Sequence, residues 1–257
     1  MLNHDSLIWA IRFIEKFSDG DLFPRILEFD AISEKEEDMA TELCAADLSQ
    51  LNIGAHRRFI VPKDEMSYRQ ATQLSPLDSI ILSAIIHQYG SGIETRRLPP
   101  NIVFSYRFAP SLDYGLYHDD GMWREFWCAA LARCASKKYV LYCDIADYYN
   151  QVYHHTLENQ LIKSEFPNRV IKWIMKLVES TTAGVSRGVP IGPHAAHMLA
   201  EAALIPIDNS LSSQGIDFIR YVDDIVVFCD SQEEAQINLF TIATTLDKQQ
   251  RLILQRH

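Results

Sequence analysis

The chain predicts an α+β fold, an antiparallel sheet packed by helices, and three kinds of stretch predict it. Residues 218–228 place β-favouring side chains on both sides of an acidic pair, Asp223 and Asp224, which reads as two short strands joined at a tight turn. Residues 139–143 form another short β-prone run, ended by Asp144 just before a helix-compatible segment. Helical periodicity supplies the other layer. Leu7, Ile8, Ile11, Phe13, Ile14 and Phe17 make an apolar face within 2–17, and Trp123, Phe126, Trp127, Ala130, Leu131 and Cys134 make a broad one within 122–135. That pattern assigns both tryptophans to the core.

Composition sets the frame for these elements. A chain of 257 residues with 47% hydrophobic and 11% aromatic content can bury a substantial core, as one large domain or two lobes, and does not read as disordered. The formal net charge of −10 does not favour a polyanion as partner, and any such contact would depend on how the charge is distributed rather than on its total. Five scattered cysteines without a CxxC pair favour reduced thiols over a disulfide or zinc framework. There is no charged-then-apolar leader and no apolar run near the roughly 18 residues a membrane span needs. The expectation is a soluble, cytoplasmic protein without membrane attachment.

Charge distribution divides the first third. From 28 to 47, Glu28, Asp30, Glu34, Glu36, Glu37, Asp38, Glu42 and Asp47 face one base, Lys35, which reads as a solvated helix face unsuited to a polyanion. The sign then changes: His56, Arg57, Arg58, Lys63 and Arg69 surround a proline-containing turn, followed by the apolar periodicity of 80–86. Cations on such a hairpin suit a triphosphate, or they are the ordinary basic residues of a surface hairpin. Arg96 and Arg97, in a Gly-, Pro- and Arg-rich stretch, read as contacts to a nucleic-acid backbone or as solvated side chains.

The acids carry the chemistry. Adjacent carboxylates repel unless a cation neutralises them, and hard oxygen ligands suit Mg²⁺; the doublet alone reads equally well as an Asp-Asp turn in water. One acid on a strand beside a hairpin bearing two is the minimal site for two metal ions about 3.5–4 Å apart, the arrangement that clamps the attacking and leaving oxygens of phosphoryl transfer. Asp147 is read as an N-cap for the helix that follows. His154 and His155 diverge by about 100° on a helix and cannot share an ion, and His194 with His197 lacks a nearby acid or Cys to complete a site; all four are read as structural. A Trp173-containing helix spans 165–180. Gly188, Pro190, Gly192 and Pro193 allow close backbone approach before a helix at 195–204. A polar-faced helix follows at 233–246, and Arg251, Leu252, Ile253, Leu254, Gln255, Arg256 and His257 begin a β-like run.

Together, YVDD at 221–224 and Asp144 followed five residues later by Tyr149 resemble the palm of a reverse transcriptase. Pro62, Lys63 and Arg69 keep the fingers spacing of group II intron and related enzymes, with Met66 where the family often has glycine, and SYRFAP at 105–110 resembles the arginine-containing loop that precedes the palm, which makes Arg107 a candidate substrate contact. GVPIGP at 188–193 followed by LAE at 199–201 is most similar to bacterial abortive-infection and unknown-group reverse transcriptases linked to phage defence. Ile191 stands where retroviral enzymes carry glutamine, and Ala196 where serine is usual.

The resemblance implies a right-hand polymerase: a helical N-terminal region at 1–53, fingers at 54–119, a first part of the palm at 120–151, a fingers or helical insertion at 152–187, and a second part of the palm at 188–257. It implies a metal set of Asp144, Ile145, Asp223 and Asp224 for two Mg²⁺ ions, with Mn²⁺ as the alternative ion. Lys63, Arg69, Tyr149 and Gly192 would bind the nucleotide, with Tyr149 shutting out a ribose 2′-hydroxyl. Implied partners are an RNA template or non-coding RNA, a DNA product and dNTPs, with a homo-oligomer or accessory protein left open. The family's lysine-bearing motif and helical thumb do not follow the hairpin within this sequence, so the expectation is a weak hold on primer-template. Two other readings stand beside this one: a catalytically silent polymerase-fold subunit that binds RNA or a protein, and an RNA-making polymerase.

Overall fold

Capping chemistry marks where several of the helices begin. The structure, a computed structural model, describes residues 2–20, 22–63, 65–113, 115–118 and 121–255. Helix α1 (His4–Phe17) starts after Asn3, whose side-chain oxygen accepts from the Ser6 amide at 2.7 Å. The acidic run forms α2 (Glu28–Ser33) and α3 (Glu36–Ala45) with most of its carboxylates exposed, and Glu36 pairs with Arg12 at 2.7 Å. Ser75 caps α4 (Pro76–Glu94), with Pro76 in the first turn, where its missing N–H costs nothing. This helix is buried almost all round because α1 packs on one side of it and a later helix on the other.

Ahead of α4, strands β1 (Arg57–Pro62) and β2 (Tyr68–Gln73) form an antiparallel hairpin in which Val61 faces Arg69. A shorter hairpin follows, β3 (Phe108–Ser111) with β4 (Gly115–Tyr117), and then α5 (Met122–Cys134). The central sheet is antiparallel in the order β5-β7-β6, from β5 (Tyr139–Asp144), β6 (Phe218–Tyr221) and β7 (Asp224–Cys229). Between β5 and β6 the chain runs through α6 (Tyr148–Gln151), α7 (His154–Lys163), α8 (Asn168–Thr181) and α9 (His194–Ser213). After β7 comes α10 (Gln232–Gln250), capped by Ser231, which accepts from the Glu234 amide at 3.1 Å.

Strand alternation divides the apolar side chains between two faces. Cys143, Ile225, Val227, Cys229 and Phe218 point into the main core, which joins α1, α4, α7, α8, α9 and α10. Ile219, Val226 and Phe228 point the other way, onto Met122, Phe126 and Ala130 of α5. The edge of β6 is covered by residues 102–104, through Phe104 N–H to Arg220 O at 2.9 Å and Arg220 N–H to Ile102 O at 2.8 Å. No helix among the described residues is long and apolar enough to cross a membrane.

Two expectations fail here. Trp123 and Trp127 are 43% and 37% exposed, because α5 buries only the stripe through Phe126 and leaves its flanks to solvent; periodicity identifies an apolar face but not the width of what covers it. The β-like run at the end contributes one isolated bridge, Leu254 with Ile145, rather than a strand, and its Arg256 and His257 lie outside the described residues.

Candidate active site

The antiparallel register makes Asp144, the last residue of β5, the cross-strand partner of Asp224, the first residue of β7. Tyr221 also pairs with Asp224, which leaves Val222 and Asp223 as the two-residue turn between β6 and β7. The acids therefore meet at one end of the sheet. The backbone of Asp144 is held from two sides. Ile145 N–H donates to Asp223 O at 3.1 Å, while Gln255 N–H donates to Asp144 O at 2.7 Å and Ala146 N–H to Ile253 O at 2.9 Å.

The turn is strained and braced. Val222 adopts φ 54, a left-handed value that tight hairpins ask of their first turn residue and that a β-branched side chain resists. Its amide donates to Ser105 Oγ at 2.9 Å and its carbonyl accepts from Arg220 Nη1 at 2.7 Å. Fully buried Arg220 forks onto Asp208 at 2.7 and 2.8 Å and reaches Glu201 at 2.9 Å; Glu201 also receives Arg97 at 2.7 Å and the Ser105 hydroxyl at 2.6 Å. Burial alone would raise the Glu201 carboxyl, but the charges of Arg220 and Arg97 outweigh it and hold that carboxyl below its usual range. At Asp208 burial prevails and the carboxyl is raised. Two cations and two anions thus balance inside the core, directly behind the acidic turn. Sequence reasoning missed this brace, whose signals were an arginine in an apolar strand and a glutamate in an alanine-rich helix.

The acids themselves are in electrostatic conflict. Burial, aided by the charges of Asp144 and Asp224 and opposed by its own amide and by Lys63, pushes Asp223 up to about 6. Burial also raises Asp224 and the charge of Asp144 adds to it, against a hydrogen bond donated by the Tyr142 hydroxyl and the charge of Lys63. Among the described residues neither lysine nor arginine forms an ion pair with any of the three, and no three Asp, Glu, His or Cys side chains make a ready-made metal centre. Carboxylates gathered at one end of the sheet, with hard oxygen donors and no paired lysine or arginine among the described residues, fit divalent cations whose remaining ligands would come from water and phosphate.

The other predicted residues surround this end of the sheet. Lys63 is exposed where the β1–β2 hairpin turns, its amide donating to Ser67 O at 3.0 Å, and its charge reaches both Asp223 and Asp224. Arg69, also exposed, lies opposite Val61, so strand alternation puts it on the face that Lys63 continues. Gly192 has φ 125, and a Cβ there would come within 3.1 Å of Thr72 O; the Thr72 amide bonds Ile191 O at 2.7 Å, fastening this loop to the hairpin. Tyr149 is half-buried, with its carbonyl accepting from Val189 N–H at 2.9 Å and its hydroxyl 2.6 Å from His197 Nδ1. Beside them, Arg58, Gln70, Asn150, Arg187, Val189 and Ile191 line a cavity of about 210 Å³ between hairpin and loop, to which none of the three acids contributes.

Several residues have other duties than those expected. Arg97 is locked on Glu201. Arg96 donates to the Gln160 carbonyl and to Ser164 Oγ, and Arg107 pairs with Glu94 while donating to the carbonyls of Leu98 and Val103. Arg96 and Arg97 reach acceptors 64 to 104 positions away, whereas those of Arg107 are local. Asp147 occupies the position before α6 but makes no cap bond; in left-handed conformation, φ 49, it accepts from the Asn150 side chain at 2.7 Å. His154 Nε2 lies 2.8 Å from Gly188 O, and His155 Nε2 lies 3.2 Å from the Asn159 side-chain nitrogen.

No curated protein matches the chain. The family model described as "Reverse transcriptase (RNA-dependent DNA polymerase)" matches residues 61–256, well over half of the sequence and all of the acids above. Enzymes of that family are nucleotidyltransferases that use an RNA template, dNTPs and divalent metal ions. The chain belongs to the reverse transcriptase family.

Proposed function

We propose that this chain is a bacterial reverse transcriptase of the abortive-infection or unknown-group kind, which adds dNTPs to a 3′-hydroxyl at a centre built from Asp144, Asp223 and Asp224. The observation that carries the reading is the register pairing of Asp144 with Asp224, one residue from Asp223 at the turn. We read 54–119 and 152–187 as fingers, 120–151 and 188–257 as palm, and 1–53 as a helical N-terminal region. Its assignment to phage defence is supported by the GVPIGP loop and the LAE run.

Asp144 and Asp223, with the Ile145 backbone, would hold two Mg²⁺ ions, and Asp224 assists them. When bound, the ions supply positive charge for the 3′-oxygen and for the leaving pyrophosphate. Lys63 and Arg69 hold the triphosphate, Gly192 lets the main chain approach the nucleotide, and the Tyr149 ring stands against the sugar. The 3′-hydroxyl gives its proton to water as its oxygen attacks the α-phosphate; a P–O bond forms as the bond to the β-phosphate oxygen breaks and pyrophosphate leaves. Positioning and neutralisation of charge account for the rate.

The test is incorporation of labelled nucleotide on a primed RNA template with Mg²⁺. Wild type incorporates dNTPs, and Asp223→Asn loses at least about a hundredfold in rate. A folded wild type that incorporates nothing would make this a silent polymerase-fold subunit, and incorporation of rNTPs in preference to dNTPs would make it an RNA-making polymerase.

A further inference from the structure

His197 lies on the first turn of α9, 7% exposed, and its ring makes two contacts that differ in kind. One face stacks on Tyr106 with centroids 4.0 Å apart and planes 3° from parallel. Its edge meets Tyr149: Nδ1 is 2.6 Å from the hydroxyl, and the two rings stand at 89° with centroids 5.7 Å apart. Tyr106 is itself fixed, since its carbonyl accepts from Arg97 Nη1 at 2.9 Å and Arg97 is locked on Glu201. A continuous set of contacts therefore runs from the buried brace of the acidic turn through Tyr106 and His197 to the hydroxyl of Tyr149.

A tyrosine that selects sugars works by occupying space, so its value depends on a ring that does not swing away when an extra oxygen pushes against it. Tyr149 is anchored at its carbonyl and its ring meets Tyr148 edge-on, 5.8 Å between centroids, while the contact at its hydroxyl fixes the far end of the side chain. We propose that His197 is a positioning residue for sugar selection, holding the Tyr149 ring in place through its hydroxyl while Tyr106 holds the imidazole. The inference rests on the reading of Tyr149 as the residue facing the sugar. Burial pushes the His197 imidazole down to about 3, so the ring is neutral across the working range and the contact does not switch with pH.

The experiment is the ratio of kcat/KM for dNTP over rNTP in wild type, His197→Phe, His197→Asn, Tyr149→Phe and Tyr149→Ala. His197→Phe keeps a ring on Tyr106 but cannot hydrogen-bond, whereas His197→Asn keeps a polar group near the Nδ1 position. The expected result is a ratio lowered about tenfold by His197→Phe and by Tyr149→Phe. A variant combining His197→Phe with Tyr149→Phe should be no worse than either single one. His197→Asn should stay within about threefold of wild type, and Tyr149→Ala should fall furthest. A general loss of fold would lower both kcat/KM values and leave the ratio alone. Wild-type ratios in His197→Phe and Tyr149→Phe, with a lowered ratio in Tyr149→Ala, would overturn the role of His197 and leave that of Tyr149 standing. A wild-type ratio in Tyr149→Ala would remove both. A ratio lowered by His197→Phe but not by Tyr149→Phe would also overturn the inference, because Tyr149→Phe tests the hydroxyl without disturbing α9.

Discussion

Asp144 and Asp224 stand directly opposite each other across β5 and β7, and the repulsion they share with Asp223 has no cationic side chain paired against it among the described residues. Such an arrangement costs the fold stability that a non-enzyme would have no reason to give up. Asp223 shows the sign of the effect: its carboxyl is raised to about 6 in the folded chain, against 3.8 for an ordinary aspartate. The charged form is therefore penalised by folding. The penalty is fully present above about pH 6 and absent below about pH 4. Asp223→Asn should stabilise the protein by on the order of 2 kcal/mol at neutral pH without divalent metal, and add nothing near pH 4. Chemical unfolding in EDTA at both pH values checks this, and a variant less stable than wild type at neutral pH would contradict it.

The brace behind the turn should behave in the opposite way. Removing Arg220 leaves Asp208 as an uncompensated buried anion, Glu201 with Arg97 alone, and Val222 O without its donor. Arg220→Met should cost about 3–5 kcal/mol. Urea unfolding measures it, and a loss below about 1 kcal/mol would mean that the network is not energetically coupled to the fold.

Lys63 offers a prediction on binding rather than stability. It is exposed, and its charge acts on Asp223 and Asp224 across the space that a triphosphate would occupy. Lys63→Ala should raise KM for dNTP about tenfold and leave the unfolding midpoint within error. Steady-state kinetics over a dNTP series decides it; an unchanged KM would take Lys63 out of the nucleotide site.

His197 gives a pH dependence. Its folded value of about 3 lies below the 6.5 of a free histidine, so the unfolded chain takes up a proton that the folded chain does not. Stability must then fall as pH drops through about 6.5, at a limiting slope of about 1.4 kcal/mol per pH unit. Between pH 7 and 5, wild type should lose about 2 kcal/mol more than His197→Asn, which carries no such proton. Equal losses in the two proteins would mean that the imidazole is protonated in the fold.

Local chemistry was legible in the sequence wherever period and turn residues coincided. The acids were found because apolar, β-favouring runs flank Asp223 and Asp224 and end at Asp144, and their meeting follows from the pairing of those two runs. The caps at Ser75 and Ser231 went unread, although Ser-Pro-x-Asp and Ser-x-x-Glu are their sequence signatures. What escaped was partnership across long separations. Arg97 and Glu201 are 104 positions apart and Tyr149 and His197 are 48, so side chains that read as solvated or merely structural gained their roles only when folding joined them. The two tryptophans of α5 were misjudged for a related reason: a helix face is written in one segment, but what covers it is written in others.

The most direct test of the central claim is anomalous diffraction from crystals soaked in Mn²⁺ with a dNTP and primer-template. The account predicts two peaks about 3.5–4 Å apart, both touching Asp144 and Asp223. Strong peaks elsewhere and none between those two carboxylates would contradict it.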